Sequence, residues 1–352
     1  MINYFLKRAG LALLSLFLLT FISYLLLATY GRDPFISLLD RGSTAGVEEQ
    51  IKNLREAAGF NKPVIQRYFI WLGDIFSGDL GSMYNPSSTT TVRELFFEPL
   101  PYSIRFVLPS FIFSAFFGTS LGIIAAYHRG KFIDFLINLF VKIFISLPSF
   151  VLAPFFLLLA FKLGLQIRLD PRWATFDSRA VSALLMPILL ISIISMAGYA
   201  GASRNITVDV LGSNYILIAK AKGMKKSAIF FKYVFRNISI PIFAIVVPSF
   251  TGLLGGSFII ERFFNIPGTS TTFIQAFPSG ELDLIMWTIS FYGAITLGMS
   301  ILIDISLTFL DPRIKIANKA NIDIFKVIYW WFKRIKLESD NAKKEKGIVN
   351  GQ

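Results

Sequence analysis

The sequence predicts an all-α integral membrane protein with six transmembrane helices. Three observations lead there. Only 16% of the 352 residues are charged, against about 25% in ordinary soluble domains. Hydrophobic residues make up 54%, and the mean hydropathy is +0.61. The apolar residues gather into runs of about 20, which at about 1.5 Å per residue cross a hydrocarbon core of about 30 Å. Helix is expected in each run because it satisfies its own backbone groups in lipid. Cysteine is absent; that removes disulfides and thiolate metal sites and says nothing about compartment.

The elements follow in chain order. The first span, 9–29, comes after Lys7 and Arg8. Its apolar run exceeds the roughly 7–15 residues of a signal-peptide core, and no small-x-small cleavage site follows, so it reads as an uncleaved span within a first segment 1–30. Residues 31–102 are too long for a connector. "VEEQIKNLREAAGF" and "KPVIQRYFIWLGDIF" carry helical spacing, with Pro63 suited to a first turn, and "SGDLGSMYNPSSTTT" reads as loop. A mostly helical extracytoplasmic element is expected, either a cap over the spans or part of a docking face. Spans 104–126, 136–162, 181–201, 240–260 and 284–310 make a five-helix core, 103–311, with a long loop at 202–239. In the segment 312–352, "IDIFKVIYWWFKRIK" reads as an interfacial helix and "SDNAKKEKGIVNGQ" as disordered.

Orientation follows from Lys and Arg. One side holds 21 of them and the other 11, which puts both termini and the 202–239 loop in the cytoplasm. The net charge of +13 is explained by this asymmetry, with no nucleic acid needed.

No catalytic constellation is visible. The single histidine, His128, has no Ser, Cys or acid cluster beside it in sequence, and no group of metal ligands occurs at regular spacing. The phosphate-cradling G-x-x-x-x-G-K-[ST] pattern is absent; "GTSTTF" at 268–273 lacks the lysine. The chain is therefore not expected to be an enzyme or to hydrolyse ATP by itself. Two ionisable residues fall within spans, Lys142 and Asp304. Lys142 can snorkel outward or pair with Asp304; an ion-coupled secondary transporter would use such groups. Gly118/Gly122, Gly198/Ala202 and Gly252/Gly256 form small-xxx-small pairs, marking tight helix packing or a path.

The long loop carries "SNYILIAKAKGMKKSAIFFKYVFRNISIPI", 213–242. Tyr215, Ala219 and Gly223 are spaced to share a helical face. Ala219 and Ala221 are small enough for another surface to come close, and Gly223 can take a left-handed terminal turn. "AIFFKYVFRN" then leads to Pro241 and the fifth span. The segment reads as a short helix, a hard turn and a rigid link into the membrane. It either transmits the movement of a docked protein or touches only lipid and neighbouring loops.

"NYILIAKAKGM...FRNISIPI" resembles the cytoplasmic loop signature of bacterial ABC importer permeases, most closely the peptide/nickel subfamily. "GRDP" at 31–34, "GFNKPVIQRYFIWLGDIFSGDLGSMY" at 59–84, "SLPSFVLAP" at 146–154, "FFNIPGTSTTFIQAF" at 263–277 and "DISLTFLDPRIK" at 304–315 resemble other segments of that subfamily, in consistent order over residues 1 to 316. The first external region points to the B-type oligopeptide/dipeptide subunit. Some positions depart from the pattern. Asn214 stands where Asp is common, Gly201 where Arg is frequent, Leu217 where the broader signature has Glu, and Phe235 precedes Arg236–Asn237 where a histidine is missing.

The resemblance implies a type I ABC importer permease fold in the plasma membrane. It implies a heterodimer with a second homologous permease, two cytoplasmic ATP-binding subunits that hold ATP and Mg, and an external substrate-binding protein. This chain would carry no cofactor of its own. Tyr215, Ala219, Ala221, Lys222 and Gly223 would form the coupling helix against the ATPase, linked to the fifth span through Arg236, Asn237 and Pro241. The substrate would be an oligopeptide or dipeptide, with nickel or another small solute as the alternative. No charged cluster faces the expected pathway, so the external binding protein is expected to select the peptide.

Overall fold

The structure, a computed structural model, describes residues 2–35, 45–84, 90–174, 177–310 and 333. It divides into a body, Ile2–Leu307, and a second unit made of Met1 with Thr308–Gln352. The body carries the helical bundle. The expected interfacial helix and disordered end of the tail lie outside the described residues, Lys333 apart. Among the described residues the body is helical, with one isolated β-bridge, Ser82 to Thr91.

Helix α1 spans Ile2–Tyr30. The 31–102 segment contributes α2 (Ala45–Ala57), α3 (Val64–Ser77) and α4 (Val92–Phe97). Pro63 sits one residue before α3 as its N-cap, and Gly78, at φ 87°, ends it in a left-handed turn. Thr91 and Glu94 close a reciprocal capping box on α4. Then come α5 (Leu100–Tyr127), α6 (Phe132–Ser146), α7 (Ser149–Lys162) and α8 (Ser178–Leu211). Asp177 caps α8 by accepting from the Arg179 N–H at 2.8 Å. The Arg179 guanidinium beside it holds its carboxyl below the usual range. After the helices of the 202–239 loop, α11 (Arg236–Gly256), α12 (Phe258–Phe263), α13 (Thr269–Ser279) and α14 (Leu282–Leu310) complete the bundle.

Among the described residues five helices are long and apolar enough to cross a membrane, and six spans result if α6 and α7 are counted as one. That pair corrects the expected single span 136–162: its halves meet at 103°. Pro148 lacks a donor and drives the residue before it out of the helical region. Leu147 is accordingly extended, at φ −94° and ψ 118°.

The most extensive helix–helix contact among the described residues is between α5 and α8. A Cβ on Gly118 would lie 2.7 Å from the Met196 carbonyl oxygen and 2.9 Å from Tyr199 Cβ, and one on Gly122 would overlap Ser203 Oγ and the Ala200 carbonyl. The glycines thus let the two backbones approach, as at small-residue crossings elsewhere. Gly198, Gly252 and Gly256 meet nothing within 4 Å, so their faces are left open by this chain. The main apolar core lies beside this crossing and includes Phe106, Leu190, Leu254, Ile260 and Phe264. A second cluster joins α1, α3 and α14 through Tyr24, Tyr68, Trp71 and Met286.

One ion pair fixes the end of the bundle that carries the 202–239 loop. Asp134, buried in the first turn of α6, accepts from Arg204 Nε at 2.6 Å and Nη2 at 2.8 Å. Gly130 N–H (2.9 Å) and Asn138 Nδ2 (2.6 Å) also donate to it. The carboxylate therefore welds the α5–α6 turn to α8. Of the two alternatives for Lys142, pairing with Asp304 is not the one seen: Asp304 lies 2.7 Å from Arg8, while Lys142 is exposed. The reason is placement. Leu16 and Leu19 of α1 pack against Gly293 of α14, which brings the start of α1 to the end of α14.

Gly122→Val should overpack the α5–α8 crossing and destabilise by about 1–3 kcal/mol or more, read as a lowered unfolding midpoint in mild detergent; Gly252→Val, at an open position, should leave the midpoint unchanged. Asp134→Ala removes every acceptor of the Arg204 fork and should cost about 2–3 kcal/mol by the same measurement.

Candidate functional site

The 202–239 loop lies at the same end of the bundle as the start of α1. After Gly212 closes α8, Ser213 turns the chain and α9 runs Asn214–Ala221. Gly223 takes φ 69°, a conformation that costs other L-residues roughly 1–2 kcal/mol. Its N–H donates to the Lys220 carbonyl at 3.0 Å, and that of Met224 to the Ala219 carbonyl at 3.3 Å, so the last carbonyls of α9 are satisfied as the chain reverses. Short α10 (Lys226–Ile229) follows, then a π-helical turn, Phe230–Phe235, that feeds directly into α11.

A single apolar cluster binds these pieces together. Ile216 and Ala219 of α9, Ile229 of α10, Val234 of the π turn and Ile238 of α11 are all buried in it. Ile123 of α5 and Ile206, Val210 and Leu211 of α8 pack against them. The loop is therefore seated on the ends of α5, α8 and α11 at once.

The outer side of α9 is different. Tyr215, Leu217 and Ile218 are 39%, 54% and 56% exposed, and Ala221, Lys222 and Gly223 are exposed beside them. Lys220, Lys225, Lys226, Lys232 and Arg236, in the same stretch of chain, are exposed as well. The result is a small exposed apolar ridge in a basic stretch of chain.

Ala219 departs from the expected role as a contact surface. It is turned inward, so its small side chain permits close approach of α9 to its own cluster and cannot touch an outside partner. The face expected to hold Tyr215, Ala219 and Gly223 together is divided, the first and last outward and the middle one in. Sequence reasoning misses Ile218 and treats Leu217 only as a departure from a pattern. The available signal is two adjacent aliphatic residues in an otherwise basic loop.

The link residues occupy the start of α11. Arg236 and Asn237 are exposed, and Asn237 Nδ2 donates to the Tyr233 carbonyl at 2.5 Å, closing the π turn. Pro241 cannot donate to the carbonyl four residues earlier. The helix ladder is thus loosened twice within about two turns, at the π turn and at Pro241, both recognised places for a helix to bend.

Within the bundle, a cavity of about 130 Å³ lies between α7, α8, α11 and α12, lined by Ser149, Ser195, Gly252, Gly256 and Ser257 with aliphatic neighbours. Among the described residues no group of His, Cys, Asp or Glu is arranged to hold a metal. His128 caps α5, its Nδ1 2.9 Å from the Ile124 carbonyl.

Residues 118–316 match the family described as "Binding-protein-dependent transport system inner membrane component", and residues 1–91 match the corresponding N-terminal family. The chain is 34% identical over 358 residues to the oligopeptide transport system permease protein OppB of Mycoplasma genitalium, covering 97% of this chain and 86% of that one. It is 30% identical over 318 residues to the dipeptide transport system permease protein DppB of Lactococcus lactis, covering 90% and 100%. It is also 30% identical over 321 residues to DppB of Bacillus subtilis, covering 91% and 100%. The loop from α9 to α11 falls wholly inside the first matched stretch, and the chain belongs to the family of inner membrane components of binding-protein-dependent transport systems.

Proposed function

We propose that this chain is the permease subunit of an ATP-driven importer that carries oligopeptides or dipeptides across the plasma membrane. The relatives' names supply the substrate class. The observation that carries the mechanism is the exposed Tyr215–Leu217–Ile218 ridge on a helix whose opposite side is locked into the bundle. A second, homologous permease completes the pathway. Two ATP-binding subunits hold ATP and Mg and receive the ridge, and an external binding protein delivers and selects the peptide.

In this scheme ATP acts on the chain only as a difference in contact free energy between two states of the assembly. Closure of the ATP-binding subunits displaces α9. The shared cluster moves with it, because Ile216 and Ala219 are packed against the ends of α5, α8 and α11. Arg204 and Asp134 keep α6 in register with α8 during the stroke. Bending is taken up at the π turn and Pro241, where the helix ladder is already interrupted. The glycine and serine cavity beside α11 then forms part of the wall past which the peptide moves.

Leu217→Glu combined with Ile218→Glu should detach the ATP-binding subunits in a mild-detergent pull-down and lower peptide uptake at least tenfold. Each buried aliphatic side chain contributes about 1.5–3 kcal/mol, and about 1.4 kcal/mol is a factor of ten; uptake at the unmodified rate refutes the docking role. Gly223→Pro, which cannot reach φ 69°, should abolish uptake with the subunit still in the membrane, whereas Gly223→Asn should retain most of it. Exchanging the external binding protein while keeping this subunit should change which peptides are imported, measured by competition uptake; an unaltered preference would place selection in the permease.

A further inference from the structure

At the end of the bundle opposite α9, the surface between α1, α3 and α14 is grooved. An apolar cavity of about 480 Å³ is lined by Phe17, Trp71, Ile75, Phe76, Phe291 and Ala294, among others. A second cavity, about 540 Å³, lies on the other side of the Trp287 ring and is lined by Arg93 and Phe97 of α4 with Gly78 and Leu80. Ile75 and Trp287 line both. The indole is held edge-on by Phe96 and tilted against Phe97 and Phe291. Its Nε1–H is buried with no acceptor.

We infer that this pair of cavities binds a membrane phospholipid, with an acyl chain in the apolar groove and the phosphate at Arg93. Three observations favour a lipid over a protein occupant. First, the groove is continuous with exposed apolar surface: Leu13 of α1 and Phe76 of α3, both on its lining, are strongly exposed. Second, Ile65, Phe69, Leu72 and Phe76 recur along one side of α3 at helical spacing, with Ile65, Phe69 and Phe76 exposed, as in a helix that rests its apolar side on lipid. Third, the polar groups lie where a headgroup would. Arg93 is exposed on a capped helix and makes no ion pair among the described residues. Trp287 supplies a donor at the boundary between the apolar and charged cavities, the depth at which tryptophan concentrates in membranes.

The test uses the full-length chain assembled with its partner subunits and reconstituted in phosphatidylglycerol, then extracted in mild detergent for native mass spectrometry. One phosphatidylglycerol should be retained. Its occupancy should fall about fivefold or more in Arg93→Gln and in Trp287→Phe, and about tenfold in Ala294→Trp, which fills the groove. Arg55→Gln, at a pair with Asp33 on the same side, should leave it unchanged. Diacylglycerol, which lacks the phosphate, should not be retained. A photoreactive benzoylphenylalanine replacing Phe76 should capture lipid. Equal occupancy in all variants, equal retention of diacylglycerol, or capture of peptide or of a second permease at position 76 would each overturn the assignment.

Discussion

The arrangement depends on the burial of one side of α9. A helix of eight residues has no stability of its own in water, because the cost of nucleation is not recovered over two turns. Its order comes from Ile216 and Ala219, which insert among side chains of α5, α8, α10 and α11. The inward side chains and the outward ridge are consecutive residues, so the surface offered to a partner is stiff only because the neighbouring residues are packed. The left-handed turn at Gly223 and the π turn before α11 then let the chain reverse without leaving the cluster.

Much of this is legible in the sequence, for reasons that differ by element. Long apolar runs at 9–29, 104–126 and 181–201 need no tertiary information, since lipid forces a self-satisfied backbone. The stop at Gly223 is legible because few other residues tolerate that backbone. The bend at Leu147–Pro148 is not, because an apolar run on either side of a proline looks like one span. Proline also sits within α5, α8 and α11 without breaking them, so the residue alone does not decide; Leu147 does, by going extended. Asp134 escapes notice because its partner lies far along the chain, and a single acid near a helix start is ordinary. Pairing Lys142 with Asp304 by depth alone ignores which helices are neighbours.

The inward turn of Ala219 carries a similar lesson. A small residue marks a place where two surfaces come close and does not say which two. Gly118 and Gly122 meet another helix of the same chain, as does Ala219 with its own cluster, whereas Gly252 and Gly256 meet nothing. Only the folded arrangement separates internal crossings from open faces, because the same i, i+4 spacing encodes both.

The open faces have a consequence of their own. The cavity beside them sets Ser149, Ser195 and Ser257 among Ile191, Ile194, Leu253 and Ile260, so its wall is mostly aliphatic with a few hydroxyls. Such a lining carries no charged side chain, so it holds no group that would sort solutes by their charge.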